Sequence, residues 1–144
     1  MKRILLFATS LLLVAVIVAA CSVSFSTANI PQAVLAKDVT GDNFEPVDPT
    51  STFPVDQPVI HLVVTVANAP EDTKVKTVWT AVDVGDAAPA NTKIDEVELT
   101  MDDSANAHFT LSSPSTGVWP AGKYKVDIYL NDKLDRTLEY TIAQ

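Results

Sequence analysis

The sequence predicts an all-β domain, an antiparallel sandwich of about seven strands that follows a segment for export. Short runs of β-branched and aromatic residues alternate between apolar and polar, which is the pattern of half-buried strands. Clusters of Pro, Gly, Asn and Asp separate these runs and indicate turns. After the first 20 residues no apolar stripe at helical spacing is long enough for a helix. Several short strands at this spacing are typical of a sandwich.

The first 20 residues have the three regions of a secretory signal peptide. Lys2 and Arg3 give a positive start, Ile4 to Val18 is apolar, and Ala19-Ala20 is a small-residue exit. We therefore expect residues 1–20 to be a signal peptide. Two alternatives are a plain signal peptide cut elsewhere and an uncleaved membrane anchor, since a spanning helix needs at least about 17 residues.

Cys21 is the only cysteine in the chain. The motif Val18-Ala19-Ala20-Cys21 resembles the lipobox of bacterial lipoproteins. The resemblance implies that the Cys21 sulfur carries diacylglycerol, that the chain is cut before it, and that the new amino terminus is acylated, for example with palmitate. Each buried methylene adds about 0.8 kcal/mol, so two or three acyl chains give lasting attachment. The protein is then expected on the cell membrane or outer membrane, facing outside the cytoplasm.

The remaining chain divides into a tether and one domain. Residues 21–36 begin with the lipidated Cys21 and continue with small polar residues and Pro31, so we expect a flexible tether. Residues 37–144 have the size of a single domain. Because lipidation would use the only thiol, this domain is expected to fold without a disulfide.

Seven strands are predicted in this order. The first lies within Val34 to Val55, and the others are Val59 to Ala67, Lys74 to Val84, Lys93 to Met101, Ala107 to Leu111, Tyr124 to Leu130 and Leu134 to Ile142. Residues 102–106 are predicted to join the fourth and fifth strands as a hairpin. Asn131-Asp132-Lys133 is predicted to be the tight turn of a second hairpin.

Three features resemble immunoglobulin-like and fibronectin type III domains. Trp79 lies in the middle of the third strand, Tyr124 begins the sixth, and residues 113–122 form a crossover between sheets. The segment Gly117 to Tyr124 is also similar to the last hairpin of Ig-like modules in bacterial surface lipoproteins. The resemblance covers about the last 90 residues and lacks the two core cysteines of antibody domains. It implies a fold and an extracellular setting but no particular function, because such modules have many functions.

The charge of the mature chain excludes a general polyanion binder. The whole sequence has 18 acidic and 10 basic residues, and removal of Lys2 and Arg3 leaves 18 against 8, a formal charge of −10. Nucleic-acid binding depends on clustered Lys and Arg, and here the basic residues are scattered among acidic ones. We therefore expect no nucleic-acid partner.

The sequence offers no recognisable catalytic centre, and we expect no enzyme activity and no cofactor. No HExxH, GxSxG or GxGxxG spacing occurs. His61 and His108 are the only histidines, and each is the outward member of an alternating strand. They could meet across a sheet and bind a metal, but two outward histidines without a nearby carboxylate favour ordinary surface residues.

Acidic residues at turns are a second possible metal site. Asp38, Asp42 and Glu45 lie with the amide of Asn43 around Gly41, Asp83 and Asp86 lie around Gly85, and Asp102-Asp103 lie at a predicted hairpin tip. Ca²⁺ requires six to eight oxygen ligands. Because Asp and Asn are also common turn residues, turn formation is the favoured interpretation, and no metal is predicted.

Trp119 is the candidate contact residue. An aromatic side chain on a loop can stack on a sugar or anchor a partner. The alternative is that Trp119 closes the end of the sandwich beneath the crossover, with Pro120 and Gly122 shaping the turn.

Together these features favour a non-catalytic binding or structural module, anchored to the membrane through Cys21, with an envelope protein or glycan as its partner. One alternative is an accessory subunit or inhibitor that docks on an envelope enzyme or transporter through an edge strand. Another is a divalent-metal or solute binder.

Overall fold

The computed structural model describes residues 26–144. The predicted signal peptide and Cys21 lie outside the described residues. The strands are β1 Asn29–Thr40, β2 Glu45–Pro49, β3 Thr52–Pro54, β4 Val59–Ala67, β5 Thr73–Asp83, β6 Thr92–Met101, β7 Asn106–Ser112, β8 Gly122–Leu130 and β9 Lys133–Ala143. A 3₁₀ turn, Gly85–Ala87, follows β5. No helix within residues 26–144 has the length and apolarity to cross a membrane.

The strands form two packed sheets, which confirms the predicted all-β sandwich. One sheet has the order β2-β1-β4-β7 and the other the order β3-β9-β8-β5-β6. The neighbouring strands are antiparallel except that β3 runs parallel to β9. The described chain has nine strands rather than about seven, because β1, β2 and β3 occupy the region where the sequence predicted one.

β1 begins at Asn29, so the prediction of a flexible tether was wrong for residues 29–36. Ile30, Leu35 and Ala36 are buried, and the strand pairs with β4 from Asn29 to Ala36. The register shifts between Asn29 and Gln32, and proline is tolerated within a sheet at such irregularities. Pro31 therefore interrupts the alternation of apolar and polar residues without ending the strand.

The predicted hairpin between β6 and β7 was also wrong. β6 pairs with β5 in one sheet, whereas β7 pairs with β4 in the other, where Phe109 lies opposite Leu62. The connection at residues 102–105 therefore crosses between sheets. Alternation shows which side of a strand is apolar, but it does not select the partner strand.

The predicted β8–β9 hairpin is confirmed. Asn131 and Asp132 have φ angles of 48° and 66°, as a type I′ turn requires. The Asn131 side chain also accepts a hydrogen bond from the Lys74 backbone N–H at 2.9 Å. The turn is thereby attached to the first residues of β5.

The core lies between the two sheets and is centred on Trp79, which is 0% exposed. Tyr124 is at the beginning of β8, and its hydroxyl donates to the Pro120 carbonyl at 2.6 Å. A tyrosine hydroxyl bonded to the backbone a few residues upstream is the tyrosine corner of Ig-like sandwiches. Trp79 and Tyr124 thus occupy the positions that the sequence predicted for them.

Candidate functional site

Trp119 lies inside the end of the sandwich. Its side chain is 3% exposed, and its indole N–H donates to the Gln57 carbonyl at 2.7 Å. Its backbone N–H donates to the Val55 carbonyl at 2.8 Å. The residue therefore joins the crossover to the chain between β3 and β4, which is a packing role. Contact with a partner stays a prediction and would require access through the cavity described below.

The structure brings His61 and His108 together on the outer face of the β4–β7 pair. Nδ1 of His61 is 2.9 Å from Nε2 of His108, while the ring planes differ by 1° and the ring centres are 5.2 Å apart. The distance between the ring centres is as large as the nitrogen–nitrogen distance allows. Both nitrogens therefore lie on the line that joins the two ring centres. The rings therefore meet edge to edge in one plane, and one N–H donates directly to the other ring nitrogen.

The tip of the β1–β2 hairpin covers this histidine pair. The Phe44 ring stacks on His108 with centres 4.7 Å apart, and the Asn106 amide donates to the Asn43 carbonyl at 2.8 Å. Oδ1 of Asp38 is 4.0 Å from Nε2 of His61. Burial, and secondarily the neighbouring His61, lowers the pKa of His108 below its ordinary value.

This geometry favours a shared hydrogen bond rather than a metal. Zinc lies about 2.0–2.1 Å from each ligating nitrogen, so two nitrogens that point at each other would have to be about 4 Å apart. The observed separation is 2.9 Å. Within residues 26–144 there is no group of three or more His, Cys, Asp or Glu side chains that could hold a metal ion.

Two of the acidic residues singled out in the sequence form hydrogen bonds to the backbone beside them. Asp83 accepts a hydrogen bond from the Gly85 N–H at 3.2 Å, and Asp38 accepts from the Val39 N–H at 2.8 Å. Side-chain bonds to nearby backbone amides are the usual function of Asp in turns. The Asp83 contact agrees with the turn interpretation, whereas Asp38 lies within β1.

β6 is the most exposed long strand of the described domain. It forms the end of the five-stranded sheet and pairs with β5 alone. Ile94 and Leu99 are 40% and 36% exposed. Asp95, Glu96 and Glu98 are exposed on the same strand. An edge strand offers unpaired backbone N–H and C=O groups to another chain.

An apolar cavity of about 250 Å³ lies beside the first residues of β6. Its lining comes from the end of β5, the loop after it, the beginning of β6 and the crossover, and includes Val84, Ala88, Ile94, Trp119, Pro120 and Tyr124. Sequence reasoning missed this cavity because its walls come from separate segments. The only sequence signal was Trp119 between the turn residues of the crossover.

Comparison of the chain with known proteins identifies its fold. No model of a known protein family matches the sequence, and no curated protein is similar to it. Among solved structures, an immunoglobulin-like protein from Pseudomonas aeruginosa is similar, with a TM-score of 0.55 and 11% identity. The similarity covers 81% of this chain and 96% of that protein.

Two further similarities are weaker and cover small parts of larger proteins. An alkylpurine DNA glycosylase from Pseudomonas fluorescens, bound to DNA containing an abasic site analog, has a TM-score of 0.49 and 15% identity over 81% of this chain and 30% of that one. A β-glucosidase from Bifidobacterium adolescentis has a TM-score of 0.42 and 18% identity over 82% of this chain and 17% of that one. The similarity to the Pseudomonas aeruginosa protein, together with the sheet order and the tyrosine corner, shows that the chain has an immunoglobulin-like fold.

Proposed function

We propose that the protein is a non-catalytic binding or structural module, attached through a lipidated Cys21 to the cell membrane or outer membrane and facing outside the cytoplasm. The observation that carries the binding role is the exposed β6 edge with an apolar cavity beside it. In the described domain, Asp83 is engaged in a turn, and His61 and His108 are engaged in their shared hydrogen bond.

The position of the first described residues supports an anchor close to the domain. Ser26 accepts a hydrogen bond from the Asn131 amide at 3.0 Å, and the Thr27 hydroxyl donates to the Asn68 carbonyl at 3.0 Å. From Cys21 to Ser26 the chain can span at most about 18 Å. A lipidated Cys21 would therefore hold the 68–72 and 131–133 turns near the bilayer. The cavity lies at the opposite end of the sandwich.

Replacement of the cysteine tests the anchor. We expect Cys21→Ser to abolish lipidation and to leave a soluble or unprocessed protein, because the chain has no other thiol. Intact mass spectrometry and membrane fractionation measure this, with Ser22→Ala as the matched control that stays in the membrane. A mature protein that starts well beyond Cys21 and carries no acyl mass would contradict the proposal.

An accessory subunit or inhibitor that docks on an envelope protein is a second candidate, and the free edge of β6 favours it. A photo-crosslinking side chain at Ile94 in living cells should yield one discrete protein adduct. The control is the same group at Leu134, which is 49% exposed beside the β8–β9 turn. Identical adducts from both positions would argue against docking through β6.

A further inference from the structure

The two faces of β6 differ in chemistry. Val97 and Leu99 lie opposite the buried Thr77 and Val75 of β5, so they point toward the interior of the sandwich. Glu96 and Glu98 lie opposite Val78 and Lys76 and point outward. Directly paired residues of antiparallel strands share a face. β6 therefore presents Val97 and Leu99 on its inner face and Glu96 and Glu98 on its outer face, while Asp95, opposite the buried Trp79, also lies on the inner side.

The inner face of β6 is incompletely covered. Leu99 remains 36% exposed although its partner Val75 is 0% exposed. β6 is the last strand of a five-stranded sheet that packs on a four-stranded sheet. The opposite sheet therefore does not fully cover the inner face of β6. Among the described residues no strand pairs with the backbone N–H and C=O groups on the free side of β6, although the Glu96 N–H donates to the Asp95 carboxylate at 2.8 Å. One more strand beside β6 would satisfy these groups and cover the apolar residues.

We propose that β6 is a docking edge for an extended segment of a partner protein that alternates apolar and basic side chains. This inference rests on the proposed binding function and names its surface and partner chemistry. The apolar side chains of the segment would continue the inner face beside Val97 and Leu99. Its Lys or Arg side chains would lie beside Glu96 and Glu98. Main-chain hydrogen bonds provide affinity in strand addition, and side-chain pockets provide specificity.

The cavity provides such a pocket at the beginning of β6. Its wall includes Ile94 of the strand and Trp119 of the crossover. An apolar cavity of about 150 Å³ is large enough to hold benzene, and this one is about 250 Å³. An aromatic or branched aliphatic side chain near the end of the docked segment would fit.

Charge argues for a basic segment rather than for a second copy of this chain. β6 carries Asp95, Glu96 and Glu98 against a single base, Lys93. Glu98 and Glu96 lie 3.8 Å and 3.2 Å from Lys74 and Lys93, and exposed ion pairs of this kind contribute little. Two β6 strands side by side would place acids near acids, which is destabilising.

The test uses the full-length protein in detergent micelles and two synthetic peptides of identical composition. One alternates Lys and Val over ten residues and ends with Phe; the other also ends with Phe but has the same Lys and Val residues in separate blocks. Calorimetry gives the Kd, and fluorescence reports the cavity because Trp119 lines it. We expect the alternating peptide to bind at least tenfold more tightly and to shift the emission.

Matched variants locate the binding site. Leu99→Lys should raise the Kd at least tenfold, whereas Leu134→Lys adds the same charge at an exposed position and should leave it unchanged. Glu98→Gln should weaken binding more than Glu71→Gln. Thermal melts verify that each variant remains folded, and a Trp119→Phe variant should lose the emission shift.

Three results would overturn the inference. Equal affinity for both peptides, or equal loss in the two lysine variants, would indicate general attraction to an acidic protein. A dimer in the ultracentrifuge that Leu99→Lys dissociates would mean that a second copy occupies the edge. The anchoring proposal is tested separately, because Cys21→Ser should retain peptide binding even if it leaves the membrane.

Discussion

Two tyrosines in the core stack on each other but differ in the environment of their hydroxyls. The rings of Tyr124 and Tyr140 have centres 5.4 Å apart and planes 17° apart. The Tyr124 hydroxyl donates to Pro120, whereas the Tyr140 hydroxyl is buried without a hydrogen-bond partner among the described residues. Burial raises the pKa of both hydroxyls, and for Tyr140 the neighbouring Tyr124 raises it further.

Removal of each hydroxyl should therefore have a different effect on stability. Tyr124→Phe should lower the free energy of unfolding by about 0.5–1.5 kcal/mol, the usual net contribution of one hydrogen bond. Tyr140→Phe removes a polar group without a partner, so it should be neutral or stabilising. Urea unfolding of both variants measures the difference, and an equal loss in the two would contradict this account.

His108 should make the stability of the domain depend on pH. Its pKa is lowered from 6.5 in the folded protein, first by burial and then by His61. The unfolded chain therefore binds a proton more readily, and the free energy of unfolding should fall as the pH decreases below about 6.5. The stabilisation is fully present above the unfolded pKa and is lost as the pH falls toward the folded one.

Unfolding curves between pH 7.5 and 5.5 should show this slope in the wild type and a reduced slope in His108→Gln. Thr110→Gln is the control, because Thr110 is an exposed residue of the same strand. A slope that is the same in all three proteins would exclude His108 as its source.

The pairing of β8 with β5 depends on a close approach at Gly122. This residue has a φ of +154°, and an added Cβ would lie 2.2 Å from the Asp83 carbonyl oxygen. Gly117, in the preceding crossover, has a φ of +72° but nothing within 4 Å of an added Cβ. Alanine substitutions at the two glycines therefore distinguish the cost of a positive φ from the cost of a steric clash.

Gly117→Ala should cost about 1–2 kcal/mol, the usual penalty of a left-handed conformation. Gly122→Ala should cost about 1–3 kcal/mol more, because it also forces the two strands apart. Thermal denaturation followed by circular dichroism measures both values. Equal costs would show that the approach to Asp83 is not restrictive.

Across the whole molecule, the early start of β1 determines where the chain can be shortened. A protein of residues 26–144 keeps all nine described strands, so we expect it to melt in one transition near that of the full chain. A protein of residues 37–144 lacks the buried Ile30, Leu35 and Ala36. Burial of one large aliphatic side chain contributes about 1.5–3 kcal/mol, and total stability is only about 5–15 kcal/mol.

The shorter protein should therefore melt well below the longer one or fail to fold. Circular dichroism melts of the two proteins at equal concentration test this directly. Melting temperatures within a degree or two of each other would mean that the first half of β1 contributes little, despite its pairing with β4.

The sequence by itself determined the all-β class, the positions of β4 to β9 and the β8–β9 turn. These follow from local chemistry, since alternation identifies a half-buried strand and Asn131-Asp132 tolerates positive φ. It also placed Trp79 in the middle of one strand and Tyr124 at the beginning of another. Each of these features depends on neighbours along the chain.

Tertiary structure alone decided which strands pair and what the surface offers. The apolar side chains of β6 and β7 would alternate in the same way in one hairpin or in two sheets, so the exposed edge at Leu99 is not visible in the sequence. The nearly linear His61–His108 bond and the cavity beside Trp119 join residues that are distant along the chain. Periodicity carries no information about such contacts, because it records burial and not the identity of the partner.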